Sequence, residues 1–174
     1  MLVVAATERE LAHVRGYETF VCGIGPVEAA LQTARVVADR RPDAVLQVGI
    51  AGGRGLAPLS IVLGSEAVYC DVIDASTTLP RVDRVEPDAA LLARVRDRLP
   101  EAHVLPIATS GKVGAGTGCD VEAMEGFGVL RACALAGVPA VELRVVSNAP
   151  DEPDRSKWRF DEAFELLGTC LARL

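Results

Sequence analysis

The chain reads as an α/β protein, a sheet covered by helices. Two observations predict this. Short apolar runs at residues 2–6, 44–49 and 140–146 alternate with longer amphipathic stretches throughout. Half of the 174 residues are hydrophobic, enough to bury a sizeable core in a single domain spanning 1–174. Strands are expected near 2–6, 18–23, 44–49, 64–70, 103–109 and 140–146, and helices near 8–14, 26–40, 87–98, 122–136 and 160–173.

Composition removes several function classes. With 18 Lys+Arg against 24 Asp+Glu the net charge is -6, which leaves no basic surface for nucleic acid or an anionic membrane. No apolar run approaches the length of a membrane span, and residues 1–6 read as a first strand rather than a signal peptide, so a cytoplasmic address is expected. The five cysteines, Cys22, Cys70, Cys119, Cys133 and Cys170, are scattered and form no metal-ligand pattern. Four lie in apolar contexts, where a reduced thiol packs as a small hydrophobe, and Cys119 lies in a Gly-rich turn.

In chain order, the first strand ends at Ala6-Thr7, and Glu8-Arg9-Glu10-Leu11 opens a helix. Acids in a first helical turn are what capping selects. The junction is also a strand's carboxyl end, where ligands gather in open α/β sheets. Cys22-Gly23-Ile24-Gly25-Pro26 is a glycine turn feeding a helix with proline at its first position. Such a turn lets backbone approach a ligand but is a weak signal alone. Gly49-Ile50-Ala51-Gly52-Gly53 empties a buried strand into a second glycine turn, and Arg54 after it reads as solvated or subunit-facing. Residues 72–86 form a surface loop that could reach a neighbouring subunit.

Ser110-Gly111-Lys112-Val113-Gly114 leaves a strand into a Gly-rich stretch without P-loop spacing, Lys112 being solvated. Val121 to Arg131 reads as a helix start on which Glu122 and Glu125 share a face, and Met124 supplies a soft apolar surface. A buried acid there needs partners, and a ribose diol would supply two hydroxyl donors. In the strand over 140–146, Glu142 and Arg144 fall on one face and can pair, and Ser147-Asn148 closes it. Trp158, the single tryptophan, and Phe160 stand at the start of the last helix, as a hydrophobic staple or as a wall over a ligand.

Taken together, Gly23-Ile24-Gly25, Gly49-Ile50-Ala51-Gly52-Gly53, Met124-Glu125 and Arg144-Val145-Val146-Ser147-Asn148 resemble the nucleoside phosphorylase/nucleosidase superfamily. The resemblance covers nearly the whole chain. It implies a three-layer fold with a central mixed sheet flanked by helices, a small-molecule nucleoside substrate, a homodimer, and neither metal nor cofactor. It assigns water activation to Glu10 and the grip on the ribose diol to Glu125. Ile24 borders the ribose, Ala51 and Gly52 offer backbone to the nucleoside, Met124 packs beneath it, and Val113 lies against the purine. Asn148 beside Ser147 would bind the base, where adenine-specific relatives carry aspartate. An amide can donate to N7 but cannot surrender a proton, so hypoxanthine is the expected leaving group. Trp158 or Phe160 would cover the base. The A-x-E-x-E-L start, E-x-M-E-G, R-V-x-S-N and Trp158 are most similar to the futalosine hydrolase branch. Another purine nucleosidase, a phosphorylase acting on inosine, and a catalytically silent nucleoside-binding protein stay open, as do the 5′ substituent and the role of Glu122.

Overall fold

The computed structural model describes residues 1–72 and 81–174, so most of the loop expected over 72–86, with its reach to a neighbouring subunit, lies outside the described residues. The buried strand β1 (Leu2–Ala5) pairs in parallel with β2 (Glu18–Val21) and β3 (Val45–Gly53). Strand β8 (Ala140–Asn148), buried at every position, runs parallel to β3 on one side and antiparallel to β4 (Ile61–Tyr69) on the other. Next to β4 lie the short β5 (Arg84–Val85) and the parallel β6 (His103–Thr109). Strand β7 (Val121–Ala123) joins β6 to the far end of β3. Strands β3, β8, β4, β6 and β7 therefore pair in a closed ring, and one apolar cluster draws Ala51, Val62, Ile107, Val121 and Val146 from them.

Helices cover both faces, which makes the expected mixed three-layer α/β fold. Helices α1 (Glu8–Leu11), α3 (Ala89–Arg98) and α5 (Phe160–Leu171) bury Leu11, Leu91, Val95, Phe164 and Leu167 against one face. Helices α2 (Pro26–Arg40) and α4 (Gly126–Ala136) bury Ala29, Val36, Val129 and Leu130 against the other. Helix α2 starts on Pro26, whose fixed φ suits a first turn and whose missing N–H would have had no partner there.

Three expectations change. Residues 121–123 are strand, and the helix starts only at Gly126, because Glu122 pairs through its backbone with Gly52 and Ala108 on both sides. Glu122 and Glu125 thus share no helical face. Second, Gly49 to Gly53 continue β3 instead of turning, since β7 and β8 pair with those residues, and the turn falls at residues 54–60. Third, β4 starts at Ile61 and β8 runs on to Asn148, beyond the apolar periods that suggested shorter strands. All five cysteines are free, but Cys70 is only half-buried despite its apolar sequence surroundings. Burial pushes the Cys22 and Cys133 thiols up to about 12, which makes them poor nucleophiles.

Candidate active site

A cavity of about 400 Å³ opens at the carboxyl ends of β1, β3 and β8. Every residue that the family resemblance assigns to a nucleoside site lines it. Glu10 enters from α1, Ile24 from the turn before α2, and Ala51 with Gly52 from the end of β3. Val113 comes from the loop after β6, and Met124 with Glu125 from the link between β7 and α4. Ser147 and Asn148 close β8, and Trp158 and Phe160 stand at the start of α5.

On one wall the charged groups converge. Thr7 caps α1, and Glu10 reaches back so that its Oε2 accepts from the Thr7 N–H and hydroxyl, each at 3.0 Å. The capping reading therefore holds, yet it uses only one carboxylate oxygen. The other, Oε1, accepts from Ile50 N–H at 3.3 Å. Arg144 donates from Nε to Glu142 at 2.8 Å, from Nη2 to Glu125 at 3.2 Å, and from Nη1 to the Ile50 carbonyl at 3.2 Å. Glu125 also accepts from Gly25 N–H at 3.2 Å, which ties the start of α2 to the cavity. Gly49 makes room for this meeting. A Cβ there would collide with both Arg144 Nη1 and Glu10 Oε1.

Burial governs the protonation of this wall. It raises the Glu10 carboxyl above its ordinary value, with Glu125 adding to the rise while Arg144, Thr7 and Ile50 oppose it. Burial likewise raises Glu142, against the pull of Arg144. For Arg144 burial works downward, but Glu142, Glu125 and Glu10 outweigh it and hold the guanidinium above its usual range.

The same cavity holds the amide. Asn148 accepts from Ser147 Oγ at 2.7 Å and donates to the Ala149 carbonyl at 2.7 Å, which leaves it one N–H and one lone pair. Trp158 donates its indole N–H to the Glu152 carbonyl at 3.1 Å and lies 5.5 Å from the Phe160 ring, so the two aromatics form one wall. Glu122 sits in the rim, buried, accepting from Thr117 N–H and hydroxyl at 3.1 Å each. Arg54 donates to Glu122 at 3.4 Å and to the Cys119 carbonyl at 3.0 Å, while its side chain stays exposed to solvent as the sequence suggested.

The phosphorylase superfamily model matches residues 16–174. The chain belongs to the phosphorylase superfamily. It is 33% identical to the futalosine hydrolase of Streptomyces coelicolor, over 91% of this chain and 78% of that protein. It is 29% identical to a 5′-methylthioadenosine/S-adenosylhomocysteine nucleosidase of Exiguobacterium, over 97% of this chain and 87% of that one. In fold it is similar to a futalosine hydrolase mutant of Helicobacter pylori, with a TM-score of 0.89 at 18% identity, covering 99% of this chain and 96% of that one.

The sequence left this phosphorylase-superfamily cavity incompletely described. The sequence pairs Arg144 with Glu142, whereas the structure makes it the hub joining Glu142 and Glu125 beside Glu10. Its signal was present: an arginine two residues after a glutamate in a largely apolar central strand, four residues before Asn148, brings a buried cation that gains from every carboxylate within reach. Gly49 likewise passed as part of a turn. Arg9, Lys112 and Arg155 also line the cavity, and nothing in their local sequence marks them.

Proposed function

We propose that this protein is a futalosine hydrolase: an N-ribosyl hydrolase that cleaves futalosine to hypoxanthine and dehypoxanthine futalosine in the alternative menaquinone pathway. The observation that carries the reading is the pairing, within one cavity, of the Glu10–Arg144–Glu125 wall with the Asn148 amide. The reaction is a dissociative displacement at the anomeric carbon with an oxocarbenium-like transition state. Glu125 holds the ribose diol, and Glu10 orients water and accepts its proton. Arg144 keeps both carboxylates in place, while the neighbouring negative charge favours the cationic sugar. The free N–H of Asn148 donates to N7 and stabilises charge arriving on the base. Ile24, Ala51, Gly52, Met124 and Ser147 contact the nucleoside, Val113 lies on the purine, and Trp158 and Phe160 cover it. The relatives named futalosine hydrolase support this choice within the superfamily.

The chain acts in this reading as a single domain, in a homodimer. Exposed Ile24, Val27 and Leu31, beside the cavity mouth, support a second copy docking there. Five free thiols support a reducing, cytoplasmic address.

Phosphorolysis of inosine is the second reading, favoured by Arg9, Lys112 and Arg155 at the cavity wall. Chromatography of futalosine and inosine incubations, each with and without phosphate, separates the two. Hypoxanthine release from futalosine without phosphate is expected. Release that requires phosphate, or that occurs from inosine alone, would move the protein to the phosphorylases. No release from either would leave a nucleoside-binding protein.

A further inference from the structure

The buried charges behind the cavity wall do not balance. Glu10, Glu125 and Glu142 are all buried, and among the described residues the cation buried with them is Arg144. Three carboxylates against one guanidinium would leave two negative charges uncompensated, a state avoided by keeping a proton on the least supported group. Hydrogen bonding ranks the three. Glu10 accepts three donors, the Thr7 N–H and hydroxyl and the Ile50 N–H. Glu125 accepts two, from Gly25 N–H and Arg144 Nη2. Glu142, with no exposed surface, accepts one, from Arg144 Nε to Oε1, and its Oε2 meets no donor among the described residues. A carboxylate holds its charge where donors surround it, so Glu142 is the poorest of the three sites for one. Burial raises its carboxyl above the ordinary value, Arg144 opposes the rise, and Glu125 adds to it.

Register supplies the proton's destination. Strands β3 and β8 run in parallel with Gln47 opposite Glu142 and, on the next rung of the same face, Gly49 opposite Arg144. Gln47 is fully buried, and neither its side-chain carbonyl nor its amide nitrogen has a partner among the described residues. An unmet carbonyl beside an unmet carboxyl oxygen is satisfied by one proton between them. Gly64 of β4 and Gly126 of α4 pack around the same carboxyl and bring no charge. A Cβ on Gly126 would fall on the carboxyl itself, and one on Gly64 would lie 3.7 Å from Oε2. The polar groups facing Glu142 are thus Arg144 on its own strand, Gln47 on β3 and Glu125 ahead of α4.

We propose that Glu142 is a positioning residue held as the neutral acid, its Oε2 proton donated to the Gln47 side-chain carbonyl while its Oε1 fixes Arg144 Nε. The guanidinium charge is then left to Glu10 and Glu125, the pair that the nucleosidase reading needs ionised. Glu142 orients the arginine through a hydrogen bond without competing for its charge. The protonation state stands apart from the nucleosidase reading, and its bearing on catalysis rests on that reading.

Infrared spectroscopy of the full chain at neutral pH reads the proton directly, because a protonated carboxyl has a carbonyl band that a carboxylate lacks. The unaltered protein should show this band, Glu10→Gln should keep it, and Glu142→Gln should lose it. Gln47→Leu removes the acceptor and should move the band, which tests the assignment even if Glu142→Gln fails to fold. In the pH dependence of hypoxanthine release, Glu142→Gln should leave the acid limb where the unaltered protein has it. A band missing from the unaltered protein, lost in Glu10→Gln, retained in Glu142→Gln or unmoved in Gln47→Leu overturns the proposal. So does an acid limb that Glu142→Gln shifts to lower pH, the sign of an ionised Glu142 that had drawn Arg144 away from Glu10. The expected band in a protein that releases no hypoxanthine would remove the nucleosidase reading and uphold the protonated Glu142.

Discussion

Glu10 holds one oxygen against the cap of its own helix and turns the other toward Ile50 and Arg144. A carboxylate so buried works as a base only once it has lost its proton, and burial raises the pH at which that happens. The acid limb of kcat/KM should therefore lie above the ordinary glutamate range, activity falling as the pH drops through the raised value. A pH–rate profile checks it, and a limb at the unperturbed glutamate position counts against Glu10 as the base. Glu10→Gln keeps the shape and removes the proposed proton acceptor, so kcat should fall by about 10²- to 10⁴-fold. At this scale the sequence was legible where residue type alone states a chemistry: an acid after a strand, an amide at a strand's end. Arg144 was less so, because the number of carboxylates around it follows from the meeting of α1, α4 and β8, which no local pattern contains.

Helices α2 and α4 pack closely at Gly128. A Cβ there would lie 2.5 Å from the Pro26 carbonyl oxygen and 3.1 Å from Ala30 N, both backbone atoms that cannot turn aside. Gly128→Ala gains about 1 kcal/mol of helix propensity but meets an overpacking cost of about 1–3 kcal/mol, so the collision decides. The urea midpoint should drop, and so should activity, because Gly25 at the start of α2 donates to Glu125. An unchanged midpoint would mean that the helices separate freely. At the scale of elements, the long amphipathic helices and apolar strands were readable from periodicity. Strand β7 was not. Its three residues sit in a sequence that suits a helix, and two flanking strands pull them into the sheet. The start of α4 is then capped from elsewhere, by the Thr109 hydroxyl accepting from Phe127 N–H at 2.8 Å.

Across the whole molecule, the Arg144 guanidinium joins β8, β3 and α4, with Glu10 of α1 nearby. Arg144→Met would leave three buried carboxylates without their counter-ion, at a cost of about 3–5 kcal/mol. The raised carboxyls Glu10 and Glu142 would rise further, and a carboxyl whose pKa is higher folded than unfolded loses stability as pH climbs between the two values. The deficit in Tm should thus be large at neutral pH and shrink in acid, and thermal melts over that range test it. A deficit independent of pH would mean that lost packing, not charge, is responsible. The three-layer class was legible from the alternation of patterns, but the closed ring was not, since β7 and the antiparallel β4–β8 pairing set it. Strand β8 lies at the centre of the sheet, between β3 and β4, yet it is the last strand in the chain. As the ribosome releases the protein from its first residue onward, β3 and β4 must wait with open edges until β8 arrives. The interior ion pairs and the sheet's central seam are therefore completed together, only once β8 has emerged. A nascent chain paused before that moment offers a chaperone unpaired strand edges instead of a partly working enzyme.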